Sequence, residues 1–136
     1  MSSKSVFFGL VVAVAVGAVA YQLLFSGSGK RGQPIEVRLP AAFSANAQAG
    51  KALFNDNCAA CHGANAAGSD TGPPLVHRIY EPNHHADYSF VRAVKMGVRA
   101  HHWPFGNMPP VPGVRESDVA VIVSYVRELQ RANGIN

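Results

Sequence analysis

Cysteine is scarce in this sequence, which has only Cys58 and Cys61 in 136 residues. A structural zinc site typically uses a second Cys pair, and this chain has none to supply it. A thioredoxin-like redox site needs a βαβ context, and no such pattern surrounds the two cysteines. Neither a zinc knuckle nor a dithiol oxidoreductase is therefore indicated.

Charge is also sparse, since charged residues make up 15% of the chain, with a formal net charge of +4. From residue 45 onward the sequence has eight basic and seven acidic residues. Most of the excess lies in Lys4, Lys30, Arg31 and Arg38, which flank an apolar segment. Nucleic-acid binding needs a basic patch on the folded domain, so this distribution argues against that class and fits a membrane flank.

The apolar segment runs from Val6 to Phe25 and is interrupted only by Gln22. Twenty residues at helical rise span about 30 Å, the thickness of the hydrocarbon core. A cleaved signal peptide is the alternative, with Ala18-Val19-Ala20 as an acceptable cleavage site. The apolar run continues past that site to Phe25, so we predict a retained transmembrane anchor over residues 1–25.

Two further regions follow the anchor. Residues 26–44 begin with Ser and Gly and contain two prolines, which predicts a flexible linker. Residues 35–39 alternate in polarity and are compatible with a short strand. Residues 45–136 form one small domain that reads as helices joined by loops, and its helices are predicted at about 45–57, 87–96 and 116–132. Asp87 or Ser89 is expected to cap the second of these, and Gly97 to end it.

Cys58-Ala59-Ala60-Cys61-His62 has the C-x-x-C-H pattern that attaches a c-type haem. The two thiols form thioethers with the haem vinyl groups, and the histidine that follows becomes an axial ligand of the iron. No second motif of this kind occurs, so we expect one covalently bound haem c. The machinery that attaches such a haem works outside the cytoplasm, on the periplasmic side in bacteria.

Residues 46–133 resemble a class I (monohaem) cytochrome c domain of the membrane-anchored bacterial type. Gly50–Phe54 matches the first helix of that family, and Thr71–Leu75 matches its T-G-P-x-L loop. Asn107–Pro110 is similar to the distal-ligand loop, and Val121–Val126 to the closing helix. The resemblance implies an all-α fold around the haem, preceded here by a single transmembrane helix.

The family also implies how the first and last helices meet. A glycine and an aromatic residue on the first helix, here Gly50 and Phe54, face an aliphatic and an aromatic residue on the last, here Ile122 and Tyr125. The glycine lets the two backbones approach, and the two rings meet edge to face.

The same resemblance assigns the haem pocket. His62 is the proximal ligand, the carbonyl of Pro73 accepts its other ring N–H, and Leu75 packs on the porphyrin. Met108 is expected as the sixth ligand, because the two prolines that follow it restrict its loop and a thioether raises the reduction potential. Met96 is the rival methionine and is expected in the core.

Several imidazoles and the one tryptophan leave alternatives open. His101 or His102 could replace Met108 on the iron. For the pairs His84-His85 and His101-His102, a surface or propionate-bonding role is preferred to a copper or zinc site, because adjacent histidines do not easily share a face. Trp103 is either a propionate donor or an exposed docking residue.

The resemblance implies a carrier of single electrons between respiratory or photosynthetic complexes, and not an enzyme with a small-molecule substrate. The expected location is the bacterial inner membrane, with a single span and the haem domain in the periplasm. A cytochrome bc1-type donor and a terminal oxidase or reaction centre as acceptor are the expected partners. Two alternatives stay open: a permanent haem-c subunit of an oxidase, reductase or dehydrogenase, and a haem sensor with a labile sixth ligand.

Overall fold

The computed structural model describes residues 32–136, together with Gly17, Ala20 and Tyr21. The chain divides into two compact units, Met1–Lys30 and Arg31–Asn136. The described residues form no strand, only an isolated antiparallel bridge, so the all-α prediction is confirmed for them. The helices are α1 (Ala45–Asn57), α2 (Ala59–His62), α3 (Asp87–Met96) and α4 (Glu116–Ala132), with 3-10 turns at Ala64–Ala66 and Arg78–Tyr80.

Most of the predicted anchor, Val6–Phe25, lies outside the described residues. Within it, Gly17, Ala20 and Tyr21 are helical and exposed. In the part of the chain that the structure describes, no helix is both long enough and apolar enough to cross a bilayer. The transmembrane anchor therefore stays a prediction.

Helices α1 and α4 cross at Gly50, as the sequence predicts. A Cβ atom built on Gly50 would lie 1.9 Å from the carbonyl oxygen of Val121, so only glycine allows this approach. Phe54 and Tyr125 are both fully buried, and their ring centroids lie 5.5 Å apart with the planes tilted by 57°. The core is thus centred on this crossing.

The predicted cap of α3 differs from the observed one. The N-cap residue is Ala86, which makes no side-chain hydrogen bond to the helix. Asp87 lies in the first turn, where its carboxylate accepts a hydrogen bond of 2.8 Å from Arg127 instead of capping α3. The C-terminal prediction is confirmed, because Gly97 ends the helix with φ of 73°.

Part of the predicted linker is held against the cytochrome-like domain. The N–H of Ile35 donates to the carbonyl of Ala67 at 2.9 Å, and Arg38 exchanges two backbone-to-amide bonds with Asn133, at 2.9 and 2.8 Å. Val37 packs against the core. The possible strand at 35–39 is not formed, because the segment bonds to a loop and to the end of α4 and not to another strand. The flexible linker and the domain boundaries stay predictions.

Replacing Gly50 by alanine is predicted to destabilise the fold. The added methyl would contact the backbone of α4, which has no flexible end to move aside. Overpacking of this kind costs about 1–3 kcal/mol, more than the roughly 1 kcal/mol that alanine gains in helix propensity. Denaturant unfolding of the haem-loaded protein should show a lower midpoint for Gly50→Ala. Ala49→Ser, which adds one atom at an exposed position of α1, is the control and should change stability by about 0.5 kcal/mol or less. Equal midpoints for Gly50→Ala and wild type would contradict the close crossing.

Candidate haem site

A largely apolar cavity of about 650 Å³ lies within the domain. Its size falls in the range of about 300–1,000 Å³ that cofactor pockets occupy. The walls come from the end of α1, from α2, from α3, and from the loops that follow α2 and precede α4. Every site residue predicted from the sequence lines it: Cys58, Cys61, His62, Pro73, Leu75, Trp103 and Met108.

Cys58 joins α1 to α2 and Cys61 lies within the single turn of α2; we call this stretch, Cys58–His62, the cysteine turn. The N–H groups of Cys61 and His62 both donate to the carbonyl of Cys58, at 3.1 and 2.9 Å, which sets the spacing of the motif. Both thiols are free, with Cys58 half-buried and Cys61 exposed. Burial, assisted by the charge of Cys61, raises the pKa of Cys58 to about 11. A redox C-x-x-C has a lowered thiol pKa, so this environment argues against that chemistry.

His62 is oriented by a backbone carbonyl. Its Nδ1 lies 2.9 Å from the oxygen of Pro73, and since a carbonyl can only accept, Nδ1 carries the proton. The other ring nitrogen is then free to bind a metal. Burial lowers the pKa of His62, and the bond to Pro73 opposes this in part, so the imidazole is neutral at pH 7. The hydrogen bond predicted from the family is present.

The T-G-P-P loop is packed onto the cysteine turn. A Cβ on Gly72 would lie 2.6 Å from the carbonyl oxygen of Cys61, so the two backbones touch. The hydroxyl of Ser69 donates to the same carbonyl at 2.6 Å, and that of Thr71 to the carbonyl of Ala60 at 3.4 Å. These contacts fix the Pro73 carbonyl relative to His62.

Met108 is held by its backbone. Val98 and Met108 exchange two N–H to carbonyl bonds, each of 2.9 Å. A Cβ on Gly97 would lie 2.5 Å from the carbonyl oxygen of Met108. The missing side chain at the end of α3 therefore allows the Met108 loop to pack closely against it. Asn107 accepts a 2.9 Å bond from the N–H of Ala100 and braces the loop further. The thioether is thus carried to the cavity on a fixed segment.

Met96 is not in the core, and that expectation is wrong. Its side chain is 72% exposed, although it borders the cavity. The buried face of α3 is formed by Val91 and Val94. Met96 follows Val94 by two residues, which turns it about 200° around the helix and away from the core. Because Met96 borders the cavity, it remains the alternative to Met108 as the methionine ligand.

Trp103 carries a buried polar atom that lacks a partner. In the described part of the chain, no acceptor meets hydrogen-bond geometry with its indole N–H. Burial raises the pKa of Tyr80 to about 12, and the nearby Trp103 N–H opposes that rise without forming an aligned bond. A buried N–H that lines the cavity favours the propionate-donor prediction over the exposed docking residue.

Two polar residues of α4, which the sequence reasoning missed, hold the loop between Leu75 and Asp87. Arg127 is 7% exposed and donates to the carbonyls of Tyr80 and His85, each at 2.6 Å. Gln130 is 1% exposed and donates to the carbonyls of Leu75 and Tyr80, at 2.9 and 3.0 Å. Both lie at helical spacing on the same face of α4 as its apolar residues. That position could have indicated from the sequence that the two side chains are buried.

The two histidine pairs lie together, contrary to the argument that adjacent histidines do not share a face. The ring centroids of His84 and His102 are 5.1 Å apart, and those of His85 and His102 are 5.4 Å apart. His101 lies 4.2 Å from His102. Desolvation and the charges of the other three lower the pKa of His102. The four form a cluster, which we call the histidine cluster, at the edge of the cavity.

Comparison with known families agrees with this geometry. A model of the cytochrome c family matches residues 47–130, more than half of the chain. The chain therefore belongs to the cytochrome c family. Membership implies covalently bound haem c and electron transfer, and it is consistent with the class I monohaem type. Comparison with curated proteins gives no match.

The residues around the cavity fit a covalent haem. Two thiols on one turn can form the thioethers, and His62 offers a neutral nitrogen toward the metal. Met108 brings a thioether to the same cavity, and Trp103 brings a buried donor for a carboxylate. The individual ligand roles stay predictions.

Substituting Met108 by alanine tests the sixth ligand. Loss of the thioether should abolish the weak sulfur-to-iron absorption band at the red edge of the oxidised spectrum and lower the reduction potential. Met96→Ala is the matched control, since it removes the other methionine that borders the cavity and should leave band and potential unchanged. A band that survives Met108→Ala and disappears in Met96→Ala or His102→Ala would reassign the ligand.

Proposed function

We propose that this protein is a membrane-anchored carrier of single electrons on the periplasmic side of the bacterial inner membrane. Its donor is a cytochrome bc1-type complex, and its acceptor is a terminal oxidase or a photosynthetic reaction centre. Family membership supports electron transfer, and the site described above supports a carrier over a catalyst. The anchor and location are supported by the apolar run Val6–Phe25 and by the extracytoplasmic attachment of haem c.

One observation carries the proposal: both candidate axial ligands are fixed by backbone contacts. Pro73 holds the ring of His62, and Val98 holds the backbone of Met108 through two bonds. If His62 and Met108 both bound the haem iron, no coordination position would be left for a substrate. When bound, the haem iron supplies one-electron chemistry, and a thioether ligand sets its potential high. The chain's own task is to hold these ligands and to exclude water.

The tether between anchor and domain is shorter than the sequence first suggests. The chain is hydrogen-bonded to the domain from Ile35 onward, and Gly32 already packs against it, since a Cβ there would lie 2.0 Å from the carbonyl oxygen of Ser69. Residues 26–32 then reach about 25 Å at most when fully extended. Such a tether raises the local concentration of a partner in the same membrane without adding contacts.

The short tether also favours the alternative of a permanent subunit. A haem domain confined within about 25 Å of its membrane span serves a neighbouring complex better than distant ones. Purification in mild detergent separates the two functions. A subunit stays with its complex in fixed stoichiometry, whereas a carrier elutes alone.

A haem sensor with a labile sixth ligand is the remaining alternative. The two bonds between Val98 and Met108 restrain the methionine loop, which supports a firm ligand. Carbon monoxide added to the reduced protein distinguishes the cases. A carrier should show little change in its spectrum, and a sensor should show the spectrum of a carbon monoxide complex.

The anchor is tested by membrane fractionation. The full chain should stay in the membrane after high-salt and carbonate washes, because an apolar span of 20 residues buries its backbone in lipid. Deletion of residues 1–29 behind an exported, cleavable signal should release a folded, haem-loaded domain, since the core lies wholly downstream. The released domain should deliver electrons poorly to dilute partner and recover at high concentration.

Two results would contradict this prediction. An N-terminal sequence that begins at Tyr21 would show a cleaved signal peptide in place of an anchor. A released domain that works no better at high partner concentration would indicate a built-in subunit. The control is a wash of the full chain with high salt alone, because that wash releases a protein that is attached only peripherally.

A further inference from the structure

The histidine cluster joins two loops that are distant in the sequence. His84 and His85 follow the second 3-10 turn, and His102 lies in the loop after α3. One ring nitrogen from each of these three residues lies within 4.8 Å of the others. A tetrahedral ion with bonds of about 2.0 Å needs nitrogens roughly 3.3 Å apart, so shifts of about 1 Å complete the geometry. His84 and His102 are exposed and free to make such shifts.

In its neutral form, His85 is held in the tautomer that a metal ligand needs. Its Nδ1 lies 2.5 Å from the carbonyl oxygen of Ile79, so this nitrogen carries the proton and donates it. The lone pair of Nε2 is then free. Metal-binding histidines commonly donate their other N–H to a backbone carbonyl in this way, which fixes the tautomer and the ring orientation.

The turn that carries the histidine pair is held in place by the core. The N–H groups of His84 and His85 donate to the carbonyl of Glu81, at 3.0 and 2.8 Å. The carbonyl of His85 accepts from the buried guanidinium of Arg127 at 2.6 Å. A site built on a fixed turn loses less conformational freedom when it binds a ligand.

From this arrangement we propose that His84, His85 and His102 bind a divalent transition-metal ion such as Zn(II) or Cu(II), at a site separate from the haem iron. Imidazole nitrogens suit these metals, whereas Ca²⁺ and Mg²⁺ require oxygen ligands. Three protein ligands leave a fourth position for water. The inference does not depend on the membrane anchor or on the redox partners.

The position of the site gives a second readout. His85 and His102 also line the haem cavity, so an ion bound there lies at its edge. A nearby positive charge favours the reduced state of the haem over the oxidised state. Bound Zn(II), which has no redox chemistry of its own, should therefore raise the reduction potential of the haem.

The test is a titration of the haem-loaded full chain, in detergent and without a histidine tag, with Zn(II) in competition with a chromophoric chelator. We expect one zinc per chain and a rise in the haem potential on binding. His84→Ala and His102→Ala should each weaken zinc binding by at least about 100-fold, because loss of an outer-shell partner alone costs about 10–100-fold. Both substitutions are at exposed positions, and the haem spectrum verifies folding.

His77→Asn is the matched control. It removes an imidazole outside the cluster, and asparagine can still accept the capping N–H of Ile79 that His77 accepts now at 3.2 Å. Zinc binding should be unchanged in this variant. The proposal is overturned if wild type binds no stoichiometric zinc, or if His77→Asn weakens binding as much as His102→Ala does. It is also overturned if the cluster variants shift the haem potential without zinc while leaving zinc affinity unchanged, which would assign the histidines to the haem propionates.

Discussion

Gly50 lies where α1 and α4 cross, and the haem site depends on this contact. A Cβ there would lie 1.9 Å from the Val121 carbonyl oxygen, so the crossing needs a residue with no side chain. Phe54 and Tyr125 pack one turn further along, with ring centroids 5.5 Å apart. Because α1 leads directly into the cysteine turn, the crossing sets where Cys58 lies relative to α4.

Buried hydrogen bonds from side chains of α4 hold the loop between Leu75 and His85 in place. Arg127 and Gln130 donate four hydrogen bonds to three backbone carbonyls, those of Leu75, Tyr80 and His85. The same loop therefore supplies the packing of Leu75 at the cavity and the fixed turn of the histidine cluster. A buried guanidinium needs such partners, because a charge without them is costly inside a protein. The haem pocket and the proposed metal site thus both depend on the loop that Arg127 and Gln130 hold.

The sequence predicts those features that local chemistry decides. Helix bounds follow from periodicity and capping, and the C-x-x-C-H motif identifies the haem-binding turn. The family resemblance predicted the crossing of α1 and α4, but other contacts between distant segments were not predicted. Arg38 bonds to Asn133 across 95 positions, and Arg127 bonds to the loop before α3 across 42 to 47. The exposure of Met96 and the proximity of the two histidine pairs were mispredicted for the same reason. Both depend on how the loops pack, which the local sequence pattern does not show.

The most direct test of the account is the mass of the intact protein after export and denaturation. One haem held by thioethers predicts the mass of the chain plus one haem, with the added mass on the peptide that contains Cys58 to His62. The variant with both Cys58→Ala and Cys61→Ala should lack that added mass. A wild-type chain whose mass is that of the polypeptide alone, with haem released on denaturation, would contradict the central claim.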